Sequence, residues 1–127
     1  MKPIKIKTKT KVKEFKEKLQ TNATEIKVYN KKGEEQGENS TVATGMTITF
    51  KLNNETKSLK LIVAGDVTGD GKADFTDMVA MNKHRLKKKL LEGEYLIAGD
   101  VTEDNKVNFQ DLVKINKFRL KKILQFF

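Results

Sequence analysis

The sequence predicts an α+β protein in two parts: a small β-rich module with one short helix over residues 1–64, and an all-α pair of loop–helix repeats over residues 65–127. Three observations carry this prediction. Apolar and polar residues alternate along short segments of the first part, which is typical of strands. One segment of 22 residues occurs twice in the second part, each time as an acidic loop followed by a helical pattern. No Gly/Ser-rich or Pro-rich linker separates the parts, so we expect a rigid junction.

The composition excludes several classes of function. The chain has no cysteine, which excludes disulfides, thiolate metal sites and a cysteine nucleophile. Its net charge of +9 comes mostly from lysines scattered over residues 1–64, which argues against specific nucleic-acid binding. The sequence shows no paired acids, no nucleophile–histidine set and no phosphate loop that would indicate an enzyme. The N-terminus is too charged for a secretory signal, so any export signal would lie outside this chain.

The first part contains four predicted strands and one helix. Residues 4–10 alternate isoleucine and threonine with lysine, which favours an edge strand guarded by lysine. Residues 11–20 fit a short helix with Phe15 and Leu19 one turn apart. Residues 25–30 form the next strand, and two further runs, 46–52 and 58–64, flank "NNETK" as a hairpin. The last strand leads directly into the first acidic loop.

The second part is an internal duplication. Residues 65–86 read "GDVTGDGKADFTDMVAMNKHRL" and residues 99–120 read "GDVTEDNKVNFQDLVKINKFRL", which agree at 13 of 22 positions without a gap. Concentrated negative charge in a folded loop is unfavourable unless the loop is open to solvent or a cation lies between the carboxylates. The duplication therefore predicts two similar cation sites, in loops 66–77 and 100–111.

Each loop has the spacing of a calcium-binding EF-hand loop, with oxygen ligands at positions 1, 3, 5, 7, 9 and 12. The predicted ligands, with the main-chain carbonyl at the lysines, are Asp66, Thr68, Asp70, Lys72, Asp74 and Asp77 in loop one and Asp100, Thr102, Asp104, Lys106, Asn108 and Asp111 in loop two. The predicted cofactor is two calcium ions. The alternative interpretation is that these residues are turns that cap the following helices.

The two loops are not equivalent. Loop one has four inner carboxylates and loop two has three, and Asn105 replaces the glycine at position 6, Gly71 in loop one. Asparagine tolerates the left-handed backbone conformation less freely than glycine. We expect loop one to bind calcium more tightly.

Only the exit side of each loop is predicted to be helical. The approach to loop one alternates like a strand, and the approach to loop two is short and contains Gly93 and Gly99. Apolar stripes continue to Leu90 and Leu124, which places the lysines of residues 87–89 and 121–122 late in the exit helices. His84 is predicted to be a surface residue.

Two calcium loops that each lead into one helix resemble a dockerin, with features of type I. This resemblance covers residues 65 to about 124 and rests on the two quoted repeats. It implies a cohesin domain of another protein as the partner. The first module occupies the place of the small X-modules that often precede dockerins.

The resemblance also implies partner contacts at loop positions 10 and 11 and further along each exit helix. These residues are Phe75, Thr76, Asn82, Lys83, Phe109, Gln110, Asn116 and Lys117. The best-known dockerins have Ser-Thr at positions 10 and 11, so Phe-Thr and Phe-Gln favour a different cohesin type. The two phenylalanines alternatively pack beneath their own helices. Because the repeats are similar, the module could dock in two orientations about 180° apart.

The sequence therefore predicts a non-catalytic, calcium-dependent assembly module of an extracellular or cell-surface bacterial protein. Such modules are often part of larger, carbohydrate-active proteins. One alternative is a calcium-rigidified surface domain that binds carbohydrate or a host protein through residues 1–64. An intracellular calcium sensor is disfavoured, because the entering helices of a complete EF-hand are missing.

Overall fold

The structure, a computed structural model, describes residues 4–18, 23–121, 123 and 126. In this part of the chain it is an α+β fold with a four-stranded sheet and four helices. The elements in chain order are β1 Ile4–Ile6, α1 Val12–Lys18, β2 Thr24–Tyr29, β3 Thr47–Leu52, β4 Glu55–Val63, α2 Phe75–Arg85, α3 Gly93–Gly99 and α4 Phe109–Arg119. None of these helices is long and apolar enough to cross a membrane.

The sheet has the strand order β1-β4-β3-β2. Strand β1 lies at an edge, as predicted, and pairs in parallel with β4, whereas the other pairs are antiparallel. The strand predicted over residues 4–10 already ends at Ile6. A turn follows, because Lys9 has a positive φ of 65° and the Thr10 hydroxyl donates to the Lys7 carbonyl.

The hairpin between β3 and β4 is tighter than predicted. Only Asn53 and Asn54 lie between the strands, with φ values of 53° and 65°. Two consecutive positive φ values are typical of a type I′ turn, whose twist matches that of the paired strands. Asparagine tolerates this conformation better than most residues, so the two asparagines can form the whole turn. Strand β4 therefore begins at Glu55.

Strand β4 belongs to both hydrophobic cores of the molecule. Leu61 and Val63 point into a core between the sheet and α1, whereas Ile62 and Ala64 belong to a second core with the helices of the repeats. Successive side chains of a strand point to opposite faces, so one strand serves both cores. The boundary at residue 64 stays a prediction, but this sharing gives a physical basis for the expected rigid junction.

The C-terminal segment closes the second core. Phe126 is buried, its ring lies 4.7 Å from that of Phe118, and it packs against Gly65. A Cβ at Gly65 would lie 2.7 Å from the Phe126 ring, so only glycine allows this approach. Phe118 occupies the position that His84 has in the first repeat, so the two equivalent positions have different roles.

Replacing Phe126 with alanine is expected to lower the free energy of unfolding by about 3 kcal/mol or more, because it leaves a cavity in the second core. The exposed Phe109 is the matched control, and its replacement by alanine should change stability by less than about 0.5 kcal/mol. Urea denaturation of the two variants in calcium tests this. Equal effects would contradict the assigned packing.

The segment before loop two is helical, so the prediction that only the exit side is helical is wrong there. Helix α3 runs from Gly93 to Gly99, and the two glycines delimit it rather than break it. Gly93 has a positive φ of 55° at its start. Gly99 is held close to Val67 and Val107, where a Cβ would come within 3.1 Å and 3.2 Å.

Both exit helices end before the lysine runs, which corrects the prediction that these lysines lie inside them. Helix α2 ends at Arg85 and α4 ends at Arg119. Lys87 and Lys121 have positive φ values of 59° and 61°, a left-handed conformation that ends a helix. Leu90 therefore lies outside α2, and Leu124 and Lys122 lie outside the described residues.

Candidate metal centre

Each acidic loop ends in the first turn of a helix. Asp74 and Asn108 are the N-caps of α2 and α4, and the residues three positions later, Asp77 and Asp111, complete a capping box in both repeats. A capping box satisfies main-chain N–H groups that have no partner within the helix. The position 12 carboxylate is thereby fixed at the base of each loop, where it faces position 1.

In loop one, Asp66 is the centre of a ring of main-chain donors. Its carboxylate accepts N–H bonds from Gly69 at 2.8 Å, Asp70 at 3.1 Å and Gly71 at 2.8 Å. Asp77 accepts from the N–H groups of other loop residues, one of them Asp74 at 2.8 Å. The loop is therefore closed by its own two end carboxylates.

Loop two repeats this arrangement with fewer bonds. Asp100 accepts from the N–H groups of Asp104 at 3.1 Å and Asn105 at 2.8 Å. Asp111 accepts from Thr102 and Asn108, at 3.0 Å and 2.9 Å from their main-chain nitrogens. The similarity in sequence is thus also a similarity in hydrogen bonding.

The structure gathers three carboxylates in each loop. Oxygens of these aspartates lie within 4.8 Å of one another, in one group of positions 1, 5 and 12 per loop: Asp66, Asp70 and Asp77; Asp100, Asp104 and Asp111. Calcium–oxygen distances are about 2.3–2.6 Å, so oxygens on opposite sides of one ion lie about 4.6–5.2 Å apart. The gathered carboxylates therefore fit a calcium ion.

The inner carboxylates have no positive partner among the described residues. Asp66, Asp77 and Asp111 are fully buried, and none of the three salt bridges among the described residues involves a predicted calcium ligand. The one salt bridge that reaches a loop joins Lys5 to Glu103, which is not a ligand. Burial of paired carboxylates without a cation is costly. A bound divalent cation would remove this cost.

Burial also changes the acidity of loop one. It raises the pKa of Asp66 and raises that of Asp77 to about 7, where the charge of Asp66 adds to the effect. The pKa of Asp74 is instead lowered, chiefly by the hydrogen bond from the Thr76 hydroxyl. Loop one therefore holds buried carboxylates that resist ionisation until positive charge is supplied.

Lowering the pH from 8 to 6 is expected to weaken calcium binding at loop one about tenfold. Asp77, with a pKa of about 7, is mostly ionised at the higher pH and mostly protonated at the lower one, and a calcium ligand must be deprotonated. Calorimetry in buffers of different ionisation enthalpy would measure the affinity and the protons released. An affinity that does not change over this range would contradict the assignment.

Without calcium the pH dependence has the opposite sign. The raised pKa of Asp77 means that the folded chain binds this proton more tightly than the unfolded chain. This contribution to stability is fully present below the ordinary value of 3.8 and is lost as the pH rises through about 7. Thermal melts of the chelated protein should show a decline in stability over that range.

The other predicted ligands are placed less directly. The hydroxyls of Thr68 and Thr102 lie in the loops but donate to the position 12 carboxylates, at 3.1 Å and 2.9 Å. Asp74 accepts from Thr76 as a helix cap and lies outside the gathered group, and Asn108 caps α4 in the same way. At Lys72 and Lys106, the main-chain N–H donates to the position 5 aspartate.

Helices α2 and α4 lie side by side and form an apolar groove with a volume of about 310 Å³. It is lined by equivalent residues of the two repeats: Phe75, Met78, Val79 and Asn82; Phe109, Leu112, Val113 and Asn116. Phe75 and Phe109 are 61% and 63% exposed. The alternative that these phenylalanines pack beneath their own helices is therefore wrong.

Two of the other predicted partner residues line this groove and four do not. Asn82 and Asn116 have internal partners, because their side-chain oxygens accept from Arg85 and Arg119 in the same helices. Thr76, Lys83, Gln110 and Lys117 are exposed and do not line the groove. Four of the eight predicted residues thus share one apolar surface.

Two residues were missed or misassigned from the sequence. Thr44, in the first part of the chain, donates its main-chain N–H to the Asp66 carboxylate at 3.0 Å. No local sequence pattern indicates this contact. His84 is half-buried rather than a surface residue, because its Nδ1 accepts the Leu91 N–H at 2.9 Å.

Comparisons with known proteins support the resemblance. Residues 64–118, less than half of the chain, match the family model described as the dockerin type I domain. No match was found among curated proteins or among solved structures. The matched residues include both acidic loops, helix α2 and all of helix α4 except its last residue. The segment 64–118 is thus similar to type I dockerin domains, which are calcium-binding modules that bind cohesins.

Proposed function

We propose that this chain is a non-catalytic docking module that binds a cohesin of another extracellular bacterial protein when calcium occupies both loops. The observation that carries this proposal is the pairing of the two carboxylate groups with the groove between the helices that follow them. Each position 12 aspartate belongs both to a carboxylate group and to the first turn of one groove helix. Calcium would therefore fix the angle at which α2 and α4 leave their loops.

The proposed site comprises two calcium ions and one partner surface. The six loop positions given above supply the ligands of each ion, and residues 65–127 act as an all-α pair of loop–helix repeats. Residues 1–64 are proposed to be a companion module of the X-module kind. A place within a larger, carbohydrate-active protein outside the cell is in keeping with this role.

The partner surface is proposed to be the groove between α2 and α4 with the polar residues around it. An apolar patch flanked by polar residues on a small protein is typical of an interaction site. The two phenylalanines have nearly equal exposure, 61% and 63%, which supports docking in two orientations related by the internal repeat. Phenylalanine at position 10 in both repeats favours a cohesin with apolar pockets at both contacts.

Calcium-dependent capture of a cohesin tests the proposed function. Cohesins of several types would be immobilised, and binding of this chain would be measured by surface plasmon resonance with calcium and with chelator. We expect submicromolar binding to at least one cohesin, lost in chelator and in the Asp66→Ala/Asp100→Ala variant. Failure to bind any cohesin, together with calcium-dependent binding to a polysaccharide, would favour the alternative function through residues 1–64.

A further inference from the structure

The segment of residues 41–45, between β2 and β3, lies against calcium loop one. Thr44 is 1% exposed, and its main-chain N–H donates to the Asp66 carboxylate at 3.0 Å. The Thr44 hydroxyl accepts the Val63 N–H at 2.9 Å and donates to the Val63 carbonyl at 3.2 Å. Thr44 is thus held on both sides: by the end of β4 and by the first ligand of the loop.

This segment leaves little room for a side chain at two glycines of loop one. A Cβ at Gly69 would lie 3.1 Å from the Thr44 carbonyl oxygen and closer still to the Lys31 side chain. A Cβ at Gly71 would lie 3.2 Å from both the Thr41 methyl group and the Val42 carbonyl oxygen. Contacts at this distance require the neighbour to move, and a main-chain carbonyl within a packed segment moves little.

Loop two shows that backbone conformation alone does not require these glycines. The equivalent residues, Glu103 and Asn105, also have positive φ values, 61° and 69°, compared with 84° and 83° for the glycines. Both carry side chains and are exposed, although the Lys5 side chain reaches Glu103, with Nζ 3.0 Å from a carboxylate oxygen. The difference between "TGDGK" and "TEDNK" therefore follows from the covering segment.

The position 1 ligands differ in the same way. Asp66 is fully buried and accepts four main-chain N–H bonds, three from its own loop and one from Thr44. Asp100 is half-buried and accepts two, both from its own loop. The first 64 residues therefore donate a hydrogen bond to a ligand of loop one, whereas their contact with loop two is the ion pair between Lys5 and Glu103, which is not a ligand.

We propose that residues 41–45 are a structural part of calcium site one, in which the Thr44 N–H positions the Asp66 carboxylate for the ion. Calcium at site one then also fastens the first part of the chain to the repeats, whereas Asp100 and Asp111 of site two accept main-chain hydrogen bonds from their own loop. This inference rests on the proposed function, because it requires calcium in both loops. It gives loop one a second reason, besides its extra carboxylate, to bind more tightly.

Exchanging the loop residues tests this proposal. Gly69→Glu/Gly71→Asn gives loop one the same five residues that loop two carries at residues 102–106, so the replacements suit the backbone conformation but collide with residues 41–45. Calcium titrations monitored by NMR would measure the calcium affinity of each loop from the signals of its own amides. We expect about tenfold weaker binding at loop one, from overpacking, and no change at loop two.

The matched control is Glu103→Gly/Asn105→Gly, which makes the reverse exchange in loop two, where both side chains are exposed and the change removes an ion pair between Lys5 and Glu103. We expect its loop-two affinity to stay within about threefold of the original, since glycine is at ease at positive φ. Unchanged loop-one affinity in the first variant would overturn the inference but leave the proposed function intact. No calcium binding at either loop of the unmodified protein would overturn both.

Hydrogen exchange on the unmodified protein keeps the test valid if the first variant does not fold. Calcium is expected to slow exchange of the Thr44 amide at least about tenfold, together with the Gly71 amide. The Phe50 amide in the β3–β4 hairpin, remote from the loops, serves as the control and should change little. If calcium slowed exchange of the Gly71 amide but left the exchange rate of the Thr44 amide unchanged, the proposed coupling would be overturned.

Discussion

Calcium is expected to raise the melting temperature of the chelated protein by roughly 10–20 °C, and the variant Asp66→Ala/Asp100→Ala is expected to abolish this rise. The physical reason is linkage: an ion that binds only the folded chain adds its binding free energy to folding. At a free calcium concentration of about 100 times Kd, each site contributes about 2.7 kcal/mol. Two sites therefore add about 5 kcal/mol, and each kcal/mol raises the melting temperature of a chain of this size by a few degrees.

The two alanine replacements remove the position 1 ligand from each carboxylate group. Asp66 is fully buried and central to its loop, so its loss removes both a ligand and the acceptor of four main-chain N–H groups. The variant is therefore also expected to melt lower than the original protein in chelator. The calcium-induced shift, rather than the absolute melting temperature, is the quantity that tests metal binding.

Glu14→Ala/Glu17→Ala is the matched control for the loss of two negative charges. Both glutamates are exposed on α1, away from the loops. Differential scanning calorimetry with excess calcium and with chelator should give this control the full calcium-induced shift. A shift that persists in Asp66→Ala/Asp100→Ala would mean that calcium acts at some other place, and the loops would then be turns that cap helices.

Replacing both groove phenylalanines, Phe75→Ala/Phe109→Ala, is expected to weaken cohesin binding about 100-fold or more. Large aromatic side chains at the centre of an interface commonly contribute about 2 kcal/mol or more each. Both rings are more than half exposed in the free chain, so their removal should leave the calcium-dependent melting temperature almost unchanged. Loss of binding without loss of stability is the combination that identifies a contact surface.

The matched control is Leu86→Ala/Leu120→Ala. These leucines also occupy equivalent positions in the two repeats and are 48% and 49% exposed, but they do not line the groove. Surface plasmon resonance against the same cohesin should give this control nearly the original affinity. If the leucine variant lost binding and the phenylalanine variant kept it, the partner surface would lie at the C-terminal ends of α2 and α4 instead.

A single replacement tests whether the chain docks in two orientations. If both orientations are used, Phe75→Ala or Phe109→Ala alone should lower the affinity much less than the double replacement, because the intact repeat can take over. If only one orientation is used, one of the single variants should account for most of the loss. The comparison uses the same instrument and the same cohesin.

The features predicted well from the sequence depend on local patterns. The offset of 34 residues located both loops, since a repeated pattern of acids needs no knowledge of the rest of the fold. Alternation predicted the strands, and the side-chain spacing after each loop predicted α2 and α4. The alternation in β1 also predicted its edge position, because lysines on an edge strand discourage pairing with other chains.

The features missed depend on contacts between distant residues. Helix α3 contains two glycines, which lower helix propensity, but Gly99 is needed where Val67 and Val107 approach closely. The Thr44 N–H bond to Asp66 joins residues 22 positions apart through a main-chain donor, which any residue except proline would supply. The contact therefore does not determine which residue stands at position 44. Its effect on the sequence is the pair of glycines in loop one.

Calorimetric titration of the chelated protein with calcium would count the ions that each loop binds. We expect two ions per chain, one ion for each of the single variants Asp66→Ala and Asp100→Ala, and none for the double variant. The remaining site in Asp100→Ala, which is loop one, should be the tighter of the two. Two ions still bound by the double variant, or none bound by the unmodified chain, would contradict the assignment of these loops as calcium sites.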